Sequence, residues 1–467
     1  MSYQVVKFGG SNLRDIDGIK KVIQAVKNYN QPLIIVVSAF YGMTNRLINA
    51  VEKSAAGKMN IARFTRDIRN QKWLLIQQII KDKDNLLLDQ YCIEFEKRLE
   101  RLKENLTAVT HLNEVPPEIY DEVLSFGERL SSLTLFYILT YFGEDCCEAL
   151  PEDIGLFTDG EYKNASVDFE RTEIHLRKAL SVHKTYIIPG FYGISPDGCT
   201  TLLGRGGSDY SAAAIAACLN AQSLDLWKDV EGFLSADPEI VSGTVNVNEL
   251  TYGEASELSY FGSQILHPRT TEPLAKANIP IRIMDIHQSC EGIRPFTIIH
   301  KEEKITSNVV KSVAYSDHFG LLKLSGSGVG IKPGILAKSA VALDDAGINI
   351  QSVITSQTAI NILLAKKELS KAKNIILQKD IHGISDIGID SNISVIAAVG
   401  QGLVSKAGIA GRIFSAVARK GINIKIICFG ASNVAMYFIV DKNNRNETVK
   451  EIHDEFFPGE VCCDACV

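Results

Sequence analysis

The sequence predicts an α/β protein with a large three-layer αβα unit around a largely parallel sheet, followed by two smaller ferredoxin-like βαββαβ units. Three observations carry this expectation. Strand-like and helix-like stretches alternate through the first 300 residues, the order that builds a parallel sheet covered by helices on both faces. The run Leu33–Val37 is apolar throughout, as a strand buried on both faces must be. Beyond about residue 310 the text repeats. Gly326 answers to Gly400, Gly334 to Gly408, and Gly347-Ile-Asn-Ile350 to Gly421-Ile-Asn-Ile424, always 74 residues apart. That period is too long for a solenoid and has the size of a small domain.

Taken in order, Tyr3–Phe8 is a short β-branched run ending at Gly9-Gly10. Helical patterns follow over Asp17–Tyr29, Met43–Ala55, Ile61–Asp82, Tyr91–Leu106 and Pro117–Tyr141. Residues 57–118 are rich in Lys, Asp, Gln and Leu and carry no glycine cluster, so they read as a helical excursion. Thr185–Ile188, Ser223–Trp227 and Ile279–Ile286 are strand candidates, and the Ala-rich Ser211–Leu219 is a strong helix former. Thr297–Ile305 is polar and charged, which places a break near 296–310. Each repeat then reads strand (Leu321–Leu324; Val395–Val399), Gly-rich turn, helix (Ile335–Ala346; Ile409–Lys420) and a Gly-Ile-Asn-Ile strand. A last strand follows in each (Ala359–Leu364; Val434–Val440). Glycine just past a helix is a C-cap signal. The expected domains are 1–300, 310–388 and 389–467.

Composition narrows the function. The 467 residues suit about three domains. Basic residues number 49 against 55 acidic, a net charge of −6. Such a balance gives no global attraction to nucleic acid or to an anionic membrane, so an anionic ligand needs a local site. No apolar run near the start approaches the ~20 residues of a membrane span. With no leader pattern at the N-terminus, a cytoplasmic protein with reduced thiols is expected. Cys463 and Cys466, beside Cys462, have C-x-x-C spacing but lack the second pair a zinc site wants.

Phosphate binding needs backbone N–H groups crowded at a helix start with no Cβ in the way. Two places offer this: Lys7-Phe8-Gly9-Gly10-Ser11 after the first strand, and Gly204-Arg205-Gly206-Gly207-Ser208-Asp209 before the Ala-rich helix. Walker A, G-x-G-x-x-G and the protein-kinase signatures are all missing. Either cluster alone could be a tight turn. Each, however, brings a cation, Lys7 or Arg205, into an acidic chain, and phosphoryl transfer needs cations and donors on the phosphoryl oxygens.

These motifs resemble those of the aspartate kinases in the amino-acid kinase family. The resemblance rests on Lys7–Ser11, Val37-Ser38-Ala39 with Met43-Thr44-Asn45, Ser125–Ser131, Pro189-Gly190-Phe191 and Gly204–Asp209. It continues through Trp227–Gly232, Ala236-Asp237-Pro238 and Leu266–Thr270, and the repeated tail resembles two ACT domains. It implies transfer of the γ-phosphoryl of MgATP (cofactors ATP and Mg2+) to the side-chain carboxylate of L-aspartate, the first step toward lysine, threonine and methionine. A carboxylate of pKa about 3.9 is already ionised, so no general base is needed.

The resemblance further implies that Lys7 neutralises the moving phosphoryl, and that Gly9, Gly10 and Ser11 donate to phosphate oxygens. Arg205 would grip a substrate carboxylate and Glu128 would accept from its ammonium. Ser38 and Thr44 would lie near the amino acid. Gly206, Gly207 and Ser208 would line the substrate–phosphate junction, with Asp209 positioning Lys7. Asp229, Gly232 and Asp237 would form the nucleotide-side loop. Four positions depart from the commoner family text, Lys228, Leu234, Glu239 and Gln264, and they bear on the adenine and phosphate contacts. Lysine or threonine would bind the first ACT unit near Gly334, Asn349, Ile350 and Gln351, at a homodimer interface. The second unit would be inserted in the first, its last strand returning there. The competing readings are a sibling acetylglutamate or glutamate kinase and an inactive ACT-bearing amino-acid sensor.

Overall fold

The computed structural model describes residues 3–80, 85–181, 183–262 and 265–458. The tail cysteines and Gln264 lie outside them. The chain forms two compact units. The first is Met1–Phe233, Asn246–Ser256 and Gln264–Glu302, and the second is Leu234–Val245, Glu257–Ser263 and Glu303–Val467.

The first unit starts with β1 (Val5–Phe8), α1 (Ile16–Lys27), β2 (Ile34–Val37), α2 (Met43–Ala55), α3 (Ile61–Ile79), α4 (Asn85–Leu112) and α5 (Pro117–Tyr141). Next come β3 (Cys146–Glu148), α6 (Pro151–Ile154), α7 (Phe169–Ala179), β4 (Thr185–Pro189), the hairpin β5 (Tyr192–Ile194) and β6 (Thr200–Leu202), and α8 (Gly207–Leu219). It closes with β7 (Leu224–Lys228), β8 (Glu249–Thr251), α9 (Tyr252–Phe261), α10 (Pro268–Ala277), β9 (Ile281–Asp285) and β10 (Thr297–His300). Of these, α9 ends in residues that belong to the second unit.

Eight strands make one sheet in the order β3-β4-β2-β1-β7-β9-β10-β8. Every neighbouring pair is parallel except β9 and β10. β1 and β2 are buried at every position, which is why both are apolar except at Lys7. The caps are local: Asp15 accepts from the Gly18 N–H at 2.9 Å and so starts α1. Helices α3 and α4 supply the expected excursion and bury Ile68, Tyr91, Leu99 and Leu106 in the main core. The division between the units falls after Glu302, inside the break expected near 296–310, but the start of that stretch is not linker. Thr297–His300 is a strand held between β8 and β9, because Thr297 and Ile299 alternate inward and are fully buried.

The second unit holds two antiparallel four-stranded sheets. Its elements are β11 (Ser312–Ser316), β12 (Phe319–Ser325), α11 (Ile335–Asp344), β13 (Ile350–Thr355), β14 (Ala359–Ala365) and α12 (Leu369–Lys379). They continue with β15 (Asp386–Asp390), β16 (Ile393–Val399), α13 (Ile409–Arg419), β17 (Ile426–Cys428), β18 (Ala435–Asp441) and α14 (Arg445–Phe456). The repeat is visible in the backbone. Gly334 and Gly408 cap α11 and α13 at φ +86° and +87°, and Gly347 and Gly421 follow them at +68° and +67°.

The strand exchange runs opposite to the expected direction. The first sheet, β13-β14-β12-β15, is complete within 319–390. The second, β11-β16-β18-β17, takes its edge strand from before the first repeat. β15 already occupies the free side of β12, with Leu321 opposite Asp390. β11 pairs with β16, with Ser312 opposite Val399. The first repeat is therefore inserted into the second, and β18 stays in the second sheet. Leu234–Val245 joins this unit because Ala236 and Val241 bury in the core around Val313, Ile396 and Phe438. No described helix is long and apolar enough to cross a membrane.

Candidate active site

A cleft of about 560 Å³ in the first unit gathers most of the residues named from the sequence. Lys7, Gly10, Ser11, Ser38, Thr44, Glu128 and the run Arg205–Asp209 all line it. It opens beyond the carboxyl ends of β1 and β2, where open parallel sheets place ligands.

Lys7 sits on the central strand β1 and is almost fully buried. Its ammonium pairs with Oδ1 of Asp209, the third residue of α8. The other oxygen, Oδ2, receives Lys228 Nζ at 2.8 Å. Burial pushes the Lys7 ammonium below its ordinary pKa and Lys228 pushes the same way, against Asp209, which holds it up. For Asp209, burial raises the pKa, but Lys228 and Lys7 outweigh it and hold the carboxyl well below the usual range. Asp209 is thus an anion at any working pH.

The glycines are fixed by sterics. A Cβ on Gly10 would lie 2.7 Å from the carbonyl oxygen of Ala39. Gly206 caps α8 at φ +72°, and a Cβ there would meet the Cβ of His267 at 2.6 Å. The backbone can therefore approach the cleft closely, and the first-turn N–H groups of α8 lack intrahelical partners. Asn12, which sequence reasoning passed over, is buried and accepts from the Gly9 N–H at 2.8 Å. Its place three residues after a glycine is a capping signal that could have flagged it.

Glu128 projects from α5 into the cleft. The Ser208 hydroxyl donates to its Oε1 at 3.1 Å, and no side chain donates to Oε2. Burial raises its pKa to about 8, against the Ala39 backbone, Ser208 and Lys7, each of which favours the carboxylate. Arg205 is exposed at the cleft and has no ion pair among the described residues. Ser38 is held through its carbonyl, which accepts from the Ser131 hydroxyl at 2.7 Å. Thr44 lies in the first turn of α2, whose cap is Gly42 at φ +74°, so its hydroxyl is not spent on capping.

Three residues assigned to the nucleotide loop do not line this cleft. Asp229 is exposed beyond β7. Gly232, at φ +79°, packs against Thr297, which accepts from the Phe233 N–H at 2.9 Å. Asp237 lies in the second unit and accepts from the Tyr315 hydroxyl at 3.1 Å. Leu234 and Glu239 lie in the second unit too. Of the three departures among the described residues, Lys228 alone pairs with Asp209.

The sequence model of the amino acid kinase family matches residues 2–285, and an ACT domain model matches 396–456. Aspartokinase 1 of Arabidopsis thaliana, a chloroplastic protein, is 30% identical over 97% of this chain and 80% of its own length. The chain belongs to the aspartokinases of the amino acid kinase family. The aspartate kinase of Clostridium acetobutylicum superposes with a TM-score of 0.80 at 25% identity, over 97% of this chain and 99% of that one. Aspartokinase III of E. coli, solved with aspartate and ADP, gives 0.79 at 24% identity over 98% and 100%. The same enzyme solved with lysine and aspartate gives 0.78. Neither a sibling acetylglutamate or glutamate kinase nor an inactive sensor is favoured by an aspartokinase likeness of this extent.

The residues expected to hold an effector all fall in the first repeat, but α11 separates Gly334 at its start from Asn349, Ile350 and Gln351 beyond its end. Gly334 opens α11, and Asn349 and Ile350 lead into the edge strand β13. Gln351 is already engaged, since its Oε1 accepts from the Tyr260 hydroxyl. Tyr260 also stacks on Phe319 at 5.9 Å between ring centroids.

Proposed function

We propose that this aspartokinase transfers the γ-phosphoryl group of MgATP to the side-chain carboxylate of L-aspartate, giving 4-phospho-L-aspartate, under feedback by an amino acid bound to its first ACT repeat. The observation that carries the reading is the set of groups lining one cleft: Arg205, with no ion pair among the described residues, buried Glu128 with an open oxygen, and the Lys7–Asp209 pair. A zwitterionic dicarboxylate fits that set. Arg205 offers a planar fork to the α-carboxylate. Glu128 accepts from the α-ammonium. The side-chain carboxylate then points toward Lys7, already an anion and needing no base.

Lys7, the Gly10–Ser11 turn and the start of α8 meet the phosphoryl group. Their part is to bring two anions together and to neutralise charge that grows in transfer. Asp209 keeps Lys7 aimed and protonated. No group of three or more His, Cys, Asp or Glu side chains among the described residues is arranged to hold a metal. Mg2+ supplies charge neutralisation on the nucleotide phosphates and fits a site where it arrives carried on them. Asp229, exposed beyond β7 and outside the cleft lining, would be the carboxylate to hold it.

Regulation draws on the second unit. E. coli aspartokinase III has been solved with lysine, and the equivalent pocket here would take lysine or threonine. The edge strand β13 and the exposed Ile331, Leu336 and Val341 of the same repeat support a homodimer formed through it. The described cysteines are all unpaired thiols, which supports a cytoplasmic enzyme. The deciding experiment is hydroxylamine trapping: purified protein with MgATP and L-aspartate should yield the hydroxamate of an acyl phosphate. Consumption of ATP with glutamate or N-acetylglutamate but not with aspartate would refute the reading.

A further inference from the structure

Lys228 stands apart from the substrate contacts of Arg205, Glu128 and Lys7. It ends β7 and is joined to β1 by the parallel register that sets Lys7 opposite Leu226. Side chains two apart on a strand share a face, so Lys228 lies on the same face of the sheet as Lys7. The first turn of α8 meets both. One carboxylate, Asp209, takes Lys7 on Oδ1 and Lys228 on Oδ2, the latter at 2.8 Å. The Lys228 side chain is 16% exposed and that of Asp209 10%.

A single carboxylate neutralises one ammonium, so the cluster keeps about one surplus positive charge, and the α8 N-terminus adds to it. Surplus charge at a buried site is costly unless an anion arrives. Lys7 lines the cleft and Lys228 does not. The anion that Lys228 meets therefore approaches from beyond the amino-acid side of the cluster.

We infer that Lys228 is a further catalytic residue of the phosphoryl transfer, binding a β-phosphate oxygen of the nucleotide while Lys7 binds the moving phosphoryl group. The inference rests on the kinase reading above. In the step, an oxygen of the aspartate carboxylate forms a bond to the γ-phosphorus. The bond from that phosphorus to the bridging oxygen breaks, and its electron pair leaves with the β-phosphate of ADP. No proton moves. Negative charge grows on the leaving oxygen, and a second ammonium beside the first stabilises it there. Asp209, shared by both lysines, sets their spacing.

The test compares the wild type with Lys228→Met and Lys228→Arg by calorimetric titration with ADP and with AMP, followed by initial rates. Loss of one charge-assisted contact should weaken ADP binding by about tenfold or more in Lys228→Met. AMP has no β-phosphate and should bind within about twofold of the wild type. The kcat of Lys228→Met should fall by at least the same factor while KM for aspartate stays within about threefold. Lys228→Arg, which keeps the charge, should recover most of the ADP affinity. Unchanged ADP affinity, or equal losses for ADP and AMP, would overturn the assignment and leave Lys228 as packing for Asp209. Should Lys228→Met fail to fold, Lys228→Gln, which still donates to Asp209, carries the same comparison. A wild type that binds ADP but makes no acyl phosphate from aspartate would sink the kinase reading alone, because the ADP and AMP comparison does not depend on it.

Discussion

The hydroxyl of Ser208 donates to Oε1 of Glu128 at 3.1 Å, tying the first turn of α8 to the middle of α5. That bond fixes the carboxyl but does not ionise it, since burial raises its pKa to about 8. An ammonium ligand needs the carboxylate. Below pH 8 aspartate must therefore expel a proton from Glu128 as it binds. Apparent affinity for aspartate should climb from pH 6 to 8, approaching about tenfold per unit at the acid end, and level off above. KM measured across this range in the wild type and in Glu128→Gln checks it: the variant should bind weakly and lose the slope. A wild-type KM flat in pH would remove Glu128 from ammonium binding.

Stability should show the same group with its own sign. The folded-state pKa is raised, so the folded form holds the proton more tightly than the unfolded chain. Its stabilising share is complete below about 4.5 and is lost as pH rises through about 8. Without ligand, Glu128→Gln should gain thermal stability relative to the wild type between pH 6 and 9. A scan in which the two curves stay parallel would contradict the burial argument.

At the other end of the cleft the stakes lie in the Lys7–Asp209–Lys228 cluster. Lys7→Ala should cut kcat by orders of magnitude with little change in KM for aspartate, since that charge acts mainly in the transition state. Asp209→Asn should slow the transfer, because Lys7 loses the carboxylate that aims it, and should also weaken the fold. It leaves two buried ammonium groups facing each other without a counter-charge, a loss of about 3–5 kcal/mol. Urea unfolding at pH 7 measures the second effect and single-turnover rates the first. An Asp209→Asn protein as stable as the wild type would mean that Lys7 sheds its proton instead, and its activity should then recover at lower pH.

Most of this architecture was legible in residue patterns. The helix Met43–Ala55 and the long helix Pro117–Tyr141 have the boundaries their periodicity predicts, and the glycine landmarks of the repeat mark the same caps in α11 and α13. What escaped is long-range. Nothing local to Ser312–Ser316 says that it pairs with β16 rather than with its neighbour β12, because strand partners are chosen by which edge is left open. Thr297–His300 looked like linker because only two of its four residues face inward. Lys228 was visible as a departure from the family text, but its meaning depends on the β1–β7 register and on Asp209, 19 residues away in sequence.

Backbone space at Gly10 gives a sharper test of the phosphate turn than a charge change. An added methyl would meet the Ala39 carbonyl at 2.7 Å, and backbone cannot yield as a flexible side chain does. Gly10→Ala should displace the Gly9–Ser11 turn and weaken ATP binding. Its effect on aspartate binding measured without nucleotide should be smaller, because Arg205 and Glu128 stand on other elements. Equal losses for both ligands would show that the turn shapes the whole cleft rather than its phosphate side.

The last prediction concerns Tyr260 and Gln351. Burial pushes the Tyr260 phenol up to about 12, so it remains a proton donor throughout the working range, and its hydroxyl occupies Oε1 of Gln351. An effector that places an ammonium or hydroxyl on that amide oxygen competes with the phenol, which already takes one of its two lone pairs. Tyr260→Phe removes the competitor and keeps the ring stacked on Phe319. It should bind lysine or threonine more tightly by about three- to tenfold, the worth of one neutral hydrogen bond. Gln351→Glu should favour lysine over threonine, because a carboxylate gains an ion pair with the ε-ammonium that an amide lacks. Calorimetric titration of each variant with each amino acid gives the affinities, and initial rates with both effectors show whether tighter binding deepens inhibition. An effector must favour a state that binds substrate poorly, so deeper inhibition should appear as a higher apparent KM for aspartate or ATP. If Tyr260→Phe left both affinities unchanged while Gln351→Glu altered neither preference nor rate, the effector would have to bind elsewhere in the second unit.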